Sequence, residues 1–315
     1  MTGTDRAGAG NPAGTPKHLD GSVAVVTGSS RGVGLAVAAA LAREGAAVVV
    51  NGRDRAVAER AAEQIAAEGG RVRAVAGSAA EPDVVDRLLG TAHEHFGEVD
   101  VLVNCAGTAE PTGSSILDVT TEQWRELLDA HLTSTFATCR ALAPRMAARG
   151  RGTIVNTSSH AFTGAFGGTG YPAGKGGVNS LTMALAAELR ESGIRVNAVC
   201  PGARTRLSTG EEYEDHVEDL HRRGMLDDLM RAGALRPAPA EYVAELYAFL
   251  ASDLAAGITG QIYAGAGCYV GRFAEPEAEL IAWRDHEQHP PWSPAEIARQ
   301  VGAASAAVPT EGERS

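Results

Sequence analysis

The sequence predicts an α/β fold built on a doubly wound parallel sheet. Short runs rich in β-branched residues alternate with longer alanine-rich stretches along most of the 315 residues. Apolar residues make up 44 % of the chain, which is enough for a sizeable core, whereas aromatic residues make up only 5 %. A regular alternation of strands and helices produces parallel strands joined by right-handed crossovers.

Each element of this alternation can be placed by its residue pattern. β-Branched runs predict strands at 23–27, 47–51, 72–76, 99–104, 153–157, 195–199 and 261–264. The stretches between them predict helices at 33–44, 54–68, 81–96, 121–149, 170–192 and 240–252. We expect Thr120 or Thr121 to cap the long fourth helix, and Pro144 to bend it.

Two regions depart from the alternation and suggest the domain organisation. Residues 1–18 are rich in Gly, Ala, Thr and Pro and are expected to be a disordered tail. Residues 19–267 form the sheet domain, in which the polar insertion 203–239 follows the sixth strand and could cover a ligand as a lid. Residues 268–315 form a C-terminal extension with Trp283 and Trp292, and the capping pattern Ser293 to Glu296 predicts a helix there.

Charge and cysteine usage exclude several classes of protein. A net charge of −11, without a basic run, argues against nucleic acid or an anionic membrane as a partner. No apolar run approaches the ~18 residues of a transmembrane helix, and the N-terminus lacks the apolar region of a signal peptide. The four cysteines show neither paired nor metal-ligand spacing, so we expect free thiols, no metal site and a cytoplasmic location. They are Cys105, Cys139, Cys200 and Cys268.

A glycine-rich segment lies between the first predicted strand and helix. Its sequence, Thr-Gly-Ser-Ser-Arg-Gly-Val-Gly at 27–34, has GxxxGxG spacing. Glycines in this position allow a tight turn and let backbone N–H groups approach a pyrophosphate at the helix N-terminus. The segment therefore predicts a dinucleotide site, although an ordinary structural turn is the alternative.

The end of the second strand indicates which dinucleotide binds. NAD sites usually place an acidic residue there to hold the ribose hydroxyls. The chain has Asn51, Gly52 and Arg53 instead. Arg53 and Arg31 could both pair with a 2′-phosphate, which favours NADP(H) over NAD, unless both are ordinary solvated side chains.

Tyr171 and Lys175 are separated by one helical turn near the start of a predicted helix. A free phenol has a pKa of about 10, and lowering it to about 7 requires ~4 kcal/mol. A positive charge at ~4 Å supplies ~4 kcal/mol at an effective dielectric constant of ~20. The lysine could thus turn the tyrosine into an acid–base group, although this spacing alone is common.

Five segments together resemble the short-chain dehydrogenase/reductase family. They are TGSSRGVG at 27–34, NCAG at 104–107, NTSS at 156–159, YPAGK at 171–175 and RVNAVCPG at 195–202, and the similarity extends over about residues 20–267. The resemblance implies a single Rossmann-type domain, hydride transfer between NADP(H) and a secondary alcohol or ketone, and a homodimer or homotetramer.

The resemblance also implies residue roles. Tyr171 would be the general acid in reduction, Lys175 would hold the nicotinamide ribose and lower the tyrosine pKa, and a serine would polarise the carbonyl. Position after the strand favours Ser159 for this role, whereas spacing from Tyr171 favours Ser158. The cofactor would contact Tyr171, Lys175 and the residues Gly28, Ser30, Arg31, Gly32, Val33, Gly34, Arg53, Ser78, Asn104, Ala106, Gly107, Pro201 and Gly202.

The chain departs from the family pattern at several positions. His131 occupies the place of an asparagine that relays protons, and a histidine there could titrate near neutral pH or merely fill space. Ser78 replaces an acid near the adenine, and Arg206 replaces a threonine beside Thr205. A lyase or epimerase on the same fold, or a cofactor sensor without turnover, are therefore the alternatives to an oxidoreductase.

Overall fold

A computed structural model describes residues 17–111, 114–205, 210–267 and 269–307. These residues form two compact units that divide between Phe273 and Ala274. Residues 1–16 of the predicted tail, Arg206 and Cys268 lie outside the described residues.

The larger unit contains the predicted alternation of strands and helices. Its elements are β1 Val23–Thr27, α1 Gly32–Arg43, β2 Ala47–Gly52, α2 Arg55–Ala67, β3 Arg71–Ala76, α3 Pro82–His95, β4 Val101–Asn104, α4 Thr121–Leu128, α5 Ser134–Arg149, β5 Gly152–Thr157, α6 Gly170–Leu189, β6 Ile194–Pro201, α7 Glu211–Arg222, α8 Asp228–Leu235, α9 Glu241–Ala251, β7 Ile262–Ala266 and β8 Tyr269–Arg272. The smaller unit contains α10, Pro294–Ala307.

The strands form one Rossmann-like sheet, which confirms the predicted fold class. In the described part of the chain the order is β3-β2-β1-β4-β5-β6-β7-β8, and β1 to β7 are parallel. The order reverses between β1 and β4, and such a switch point opens a crevice at the carboxyl ends of the strands. Asn104 lies opposite both Thr27 and Asn156, so the ends of β1, β4 and β5 meet at one edge.

Helices cover both faces of the sheet. One face packs against α1 and α9, where Leu41 and Tyr247 are fully buried. The other face packs against α3, α5 and α6, where Leu88 and Met146 are buried. Every residue of β1, β2 and β4 is buried, as expected for parallel strands covered on both sides.

The long helix predicted at 121–149 is interrupted. Thr120 and Gln123 form a capping box at the start of α4, but residues Asp129–Thr133 form a turn of π-helix before α5 begins. The α5 helix continues through Pro144, so the departure from α geometry is at the π turn rather than at the proline. Such π turns are frequent at functional sites.

The C-terminal boundary of the sheet also differs from the prediction. Strand β8 pairs with β7 in an antiparallel arrangement, and the larger unit extends to Phe273 rather than to residue 267. Strand β8 could not be predicted from the sequence, because four residues give no clear alternation of apolar and polar side chains.

The smaller unit is organised around Arg284. Its guanidinium stacks over the Trp292 ring at 3.7 Å from the ring centroid and pairs with Glu296 at 2.7 Å. Ser293 and Glu296 form the predicted capping contacts at the start of α10. Trp283 remains 75 % exposed.

Candidate active site

A cleft of about 2650 Å³ opens at the carboxyl edge of the sheet. The glycine loop forms one wall, the ends of β5 and β6 form the floor, and α7 and α8 contribute the opposite wall. Most predicted site residues line it, namely Gly28, Arg31, Gly32, Val33, Gly34, Arg53, Gly107, His131, Ser159, Tyr171, Lys175, Pro201 and Gly202.

The glycine loop leaves no room for larger residues at two positions. Gly28 has φ +60°, and a Cβ there would lie 2.6 Å from Cα of Ala106. A Cβ on Gly34 would lie 2.4 Å from the carbonyl oxygen of Gly28. The α1 helix then begins without a side-chain cap or an acidic residue in its first turn. Its first N–H groups are therefore suited to bind an anion.

The end of β2 carries positive charge without a carboxylate. Asn51 is buried, and its amide bonds to Val75 O and Gly77 O, both at 3.1 Å. Arg31 and Arg53 are exposed at the cleft and pair with no carboxylate among the described residues. This donor set fits the additional phosphate of NADP.

Four predicted cofactor residues do not line the cleft. They are Ser30, Ser78, Asn104 and Ala106. Ser30 packs on Gly52, and Ser78 Oγ accepts from Ala80 N at 3.3 Å. The Asn104 amide bonds instead to Asn156 and Thr138, at 2.9 and 2.7 Å. Their cofactor contacts remain predictions, and for Asn104 only the backbone is available.

Tyr171, Lys175 and Ser159 meet at the floor of the cleft. The Lys175 side chain is buried, and Nζ donates to Thr157 O at 2.8 Å. Nζ lies 5.7 Å from the centroid of the Tyr171 ring. Ser159 lies beside Tyr171 and acts to lower the pKa of its phenol, whereas Ser158 is buried and donates to Lys175 O at 3.3 Å. The geometry therefore favours Ser159 over Ser158 as the serine that faces a substrate.

The expected lowering of the tyrosine pKa is not observed. Burial raises the pKa of Tyr171 above its usual value of 10.0, and only the neighbouring Ser159 side chain opposes this shift. Burial also lowers the pKa of Lys175 to about 8. The lysine charge is directed at the Thr157 carbonyl rather than at the phenol, which accounts for the difference.

His131 lies in the π turn behind Tyr171. Its ring is 2 % exposed and packs edge-on against the Tyr171 ring, with centroids 4.8 Å apart. A Cβ on Gly107 would lie 2.6 Å from His131 Cε1, so the glycine makes room for the imidazole.

The imidazole is held in one neutral form. Nε2 lies 2.9 Å from Thr108 O, an atom that can only accept, and 3.4 Å from Thr108 N; the shorter contact assigns the hydrogen to Nε2. Nδ1 is then an acceptor, buried without a protein partner among the described residues. Burial and the Lys175 charge lower the pKa of His131 to about 3. Of the two alternatives for His131, this lowered pKa supports a histidine that fills the position over one that titrates near neutral pH.

The segment predicted as a lid forms two helices beside the catalytic floor. Val217, Leu220 and Leu226 form a small apolar core with Phe166 from the loop after β5. His216 Nε2 also lies 3.0 Å from Phe166 O. The helices α7 and α8 thus pack on the same loop that follows Ser159.

Two groups of site residues were not found from the sequence. Glu110, in the loop after β4, contacts the N-terminus of α6 through its carboxylate. Thr157 Oγ1 lies 3.0 Å from the hydroxyl of buried Tyr247 and 3.1 Å from Cys105 Sγ. Only the fold reveals these contacts, because 59 residues or more separate Glu110 from the start of α6 and 90 separate Thr157 from Tyr247.

Burial raises the pKa of Cys105 to about 11 and that of Cys139 to about 12. The cysteines of the described ranges, Cys105, Cys139 and Cys200, are free thiols. No described helix has the length and apolar character needed to cross a bilayer.

Comparison with known proteins places this geometry in a family. Residues 22–215 match the family model described as short chain dehydrogenase. A short-chain type dehydrogenase/reductase of Bradyrhizobium diazoefficiens is 42 % identical over 248 residues, covering 78 % of this chain and 86 % of that protein. A 3-oxoacyl-[acyl-carrier-protein] reductase of Synechocystis is 38 % identical, covering 78 % and 95 %.

A solved structure extends the similarity. The crystal structure of a short chain dehydrogenase from Mycobacterium avium superposes with a TM-score of 0.73 at 30 % identity. It covers 93 % of this chain and 97 % of that one.

Proposed function

The chain belongs to the short-chain dehydrogenase/reductase family, an enzyme family that acts on CH–OH or carbonyl groups, and we propose that it interconverts a secondary alcohol and a ketone with NADP(H). One observation carries the proposal: Tyr171, Lys175 and Ser159 meet in the cleft that the glycine loop also lines.

The cofactor would bind along the carboxyl edge. Gly28, Gly32 and Gly34 would admit its pyrophosphate at the start of α1, and Arg31 and Arg53 would pair with the 2′-phosphate. Lys175 would hold the nicotinamide ribose. When bound, the reduced cofactor supplies the hydride that reaches the substrate carbon.

Tyr171 acts as the acid in carbonyl reduction. Because burial raises its pKa, the phenol is protonated at neutral pH and can donate to the carbonyl oxygen. Ser159 donates a second hydrogen bond to the same oxygen and orients it. A protonated phenol with a serine partner suits reduction better than oxidation at neutral pH.

Lys175 and His131 support the proton donor. Below about pH 8 the lysine is charged, and its hydrogen bond to Thr157 O fixes it beneath the tyrosine. His131 stays neutral and presents Nδ1 as an acceptor. A water molecule that donates to Nδ1 would link Lys175 to solvent, and solvent would supply the proton that Lys175 returns to Tyr171.

The proposal is tested by NADPH oxidation with a panel of ketones, with Tyr171→Phe as the control. We expect turnover with at least one ketone and a loss of roughly 100-fold or more in the variant. Turnover that survives in Tyr171→Phe contradicts this mechanism. The same panel with NADH tests the cofactor preference.

The two alternatives give different results in that assay. A lyase or epimerase would consume substrate without net oxidation of NADPH, but would still need Tyr171. A cofactor sensor would bind NADPH and turn over no carbonyl. The presence of Ser159, Tyr171 and Lys175 in one cleft argues against the sensor. The relatives named as dehydrogenases and reductases favour the oxidoreductase over the lyase or epimerase.

We further propose a homodimer or homotetramer in the cytoplasm, as the family resemblance and the free thiols suggest. Sedimentation of the purified chain tests the oligomeric state.

A further inference from the structure

Helix α6 carries Tyr171 in its first turn, yet its own sequence provides no cap. Thr169 occupies the N-cap position without a side-chain hydrogen bond, and no acidic residue lies in the first turn. The first N–H groups of a helix have no partner within the helix. Left unpaired, they would let the first turn fray at the residue that performs the chemistry.

The carboxylate of Glu110 takes the place of the missing cap. Its Oε1 accepts from Thr169 N at 2.8 Å and from Gly170 N at 3.0 Å. Its Oε2 accepts from the backbone N of Tyr171 at 2.9 Å.

These three bonds satisfy every free donor at this helix end. The next residue is Pro172, which has no N–H group. The N–H of Ala173 already donates to Thr169 O at 3.3 Å, within the helix. Glu110 is therefore a complete cap, supplied from about 60 residues earlier in the chain.

The surroundings are shaped to keep the carboxylate in place. Ser114 Oγ donates to Glu110 Oε1 at 3.1 Å. Gly168 has φ +80°, and a Cβ there would lie 2.5 Å from Glu110 Oε2. A negative charge at a helix N-terminus is also favoured by the helix dipole.

We propose that Glu110 is a positioning residue for Tyr171, and the proposal rests on the function proposed above. By fixing the tyrosine backbone from the loop after β4, Glu110 sets the direction in which the phenol points. It touches neither the phenol oxygen nor the glycine loop, so its loss lowers kcat while cofactor affinity is retained.

The experiment compares Glu110→Ala and Glu110→Gln with a matched control, Asp100→Asn. Asp100 also accepts from a backbone N–H, that of Val23 at 3.2 Å, but at the opposite edge of the sheet. Since a displacement of ~1 Å at a reacting group costs up to ~100-fold in rate, we expect kcat to fall about 10- to 100-fold in Glu110→Ala. The amide oxygen of Glu110→Gln retains part of the cap, so its loss should be smaller. Asp100→Asn should keep the wild-type kcat.

Three readouts separate positioning from general stability. NADPH binding should retain one site per chain and a Kd within about twofold of wild type, because the glycine loop is unaltered. The pH at which kcat declines should stay where it is. Gly168→Ala, which displaces the carboxylate, should reproduce the loss.

A final readout does not depend on turnover. Hydrogen exchange at the amides of Thr169, Gly170 and Tyr171 should be slow in the wild type and fast in Glu110→Ala. If exchange changes but no carbonyl is reduced by the wild type, the proposed function fails and the cap stands. The inference is overturned if exchange is unaltered, if kcat stays within twofold, or if NADPH sites are lost in proportion to kcat.

Discussion

At the amino edge of the sheet, the charged side chains beside β4 form ion pairs, whereas at the carboxyl edge the arginines beside the glycine loop form none among the described residues. Asp100 at the start of β4 lies 3.3 Å from Arg151 and 3.7 Å from Arg149, and Arg149 also pairs with Glu98. At the carboxyl edge, Arg31 and Arg53 pair with no carboxylate among the described residues. Lys175 is buried there, and within the described ranges its Nζ donates only to the carbonyl of Thr157.

The difference shows where the molecule can bind an anion. The charges at the amino edge are already paired within the chain, although Asp100 Oδ1 and Arg149 Nε have no hydrogen-bond partner among the described residues. Unpaired cations at the carboxyl edge, together with uncapped N–H groups of α1, need a partner from outside the chain. Variants at the two edges test whether the carboxyl edge serves catalysis and the amino edge only folding.

The largest effect is expected for Lys175→Met. Removing a charged donor from a buried site typically costs roughly 100- to 1,000-fold in kcat. In the wild type, the rate of ketone reduction should fall as pH rises through about 8, since Lys175 then loses its charge. Rate profiles from pH 6 to 10 check both points, and a decline that persists unchanged in the variant contradicts the assignment.

The same variant gives a stability test with a defined sign. The pKa of Lys175 falls from 10.5 in an exposed lysine to about 8 here. The unfolded chain therefore binds more protons between these values, and this group makes the protein more stable as pH rises across that window. Urea unfolding at pH 8 and 10 should show this gain in the wild type and not in Lys175→Met.

A smaller effect is expected for Arg53→Ala and for Arg31→Ala. Each loses a charge-assisted hydrogen bond to phosphate, which corresponds to about a 10- to 100-fold weaker Kd for NADPH. Binding of NADH, which has no 2′-phosphate, should hardly change. Titration of each variant with both cofactors checks this assignment. If the affinity for NADH falls as much as the affinity for NADPH, the arginines do not bind the 2′-phosphate.

The effect on kcat of replacing His131 should depend on the residue that replaces it. The alanine variant removes the Nδ1 acceptor, and we expect kcat to fall about tenfold or more. The asparagine variant restores a polar group and should stay within about threefold of wild type. Because the pKa of His131 is about 3, neither change should move the pH profile above pH 5. Wild-type rates in both variants would exclude a relay through this position.

The smallest catalytic effect belongs to the amino edge. Asp100→Asn weakens ion pairs with Arg149 and Arg151 and should lower the free energy of unfolding by about 1–2 kcal/mol. Its kcat should equal that of the wild type. A substantial loss of activity without a change in denaturation midpoint would contradict the assignment of the amino edge to folding alone.

The fold could be predicted because its signal is local. The run Val23–Thr27 and the turn into α1 identify the first strand and helix without any distant contact. Strand β8 was missed because it is a short, exposed segment whose pairing with β7 is a tertiary contact.

The site was only partly predictable, for the same reason. Tyr171 and Lys175 share a helix face, so their proximity follows from their spacing. The neutral state of His131 depends on burial and on the Lys175 charge, and its tautomer depends on Thr108 O, 23 residues away. The raised pKa of Tyr171 likewise depends on burial that no local pattern reveals.

The contact between Gly28 and Ala106 has a consequence for redesign. A Cβ placed on Gly28 would lie only 2.6 Å from Ala106 Cα, so the glycine loop and the loop after β4 are in close contact. A larger residue in one loop therefore requires a compensating change in the other. A library of variants designed to change the cofactor preference should therefore keep Gly28 and Ala106 and vary Arg31 and Arg53, whose side chains are exposed.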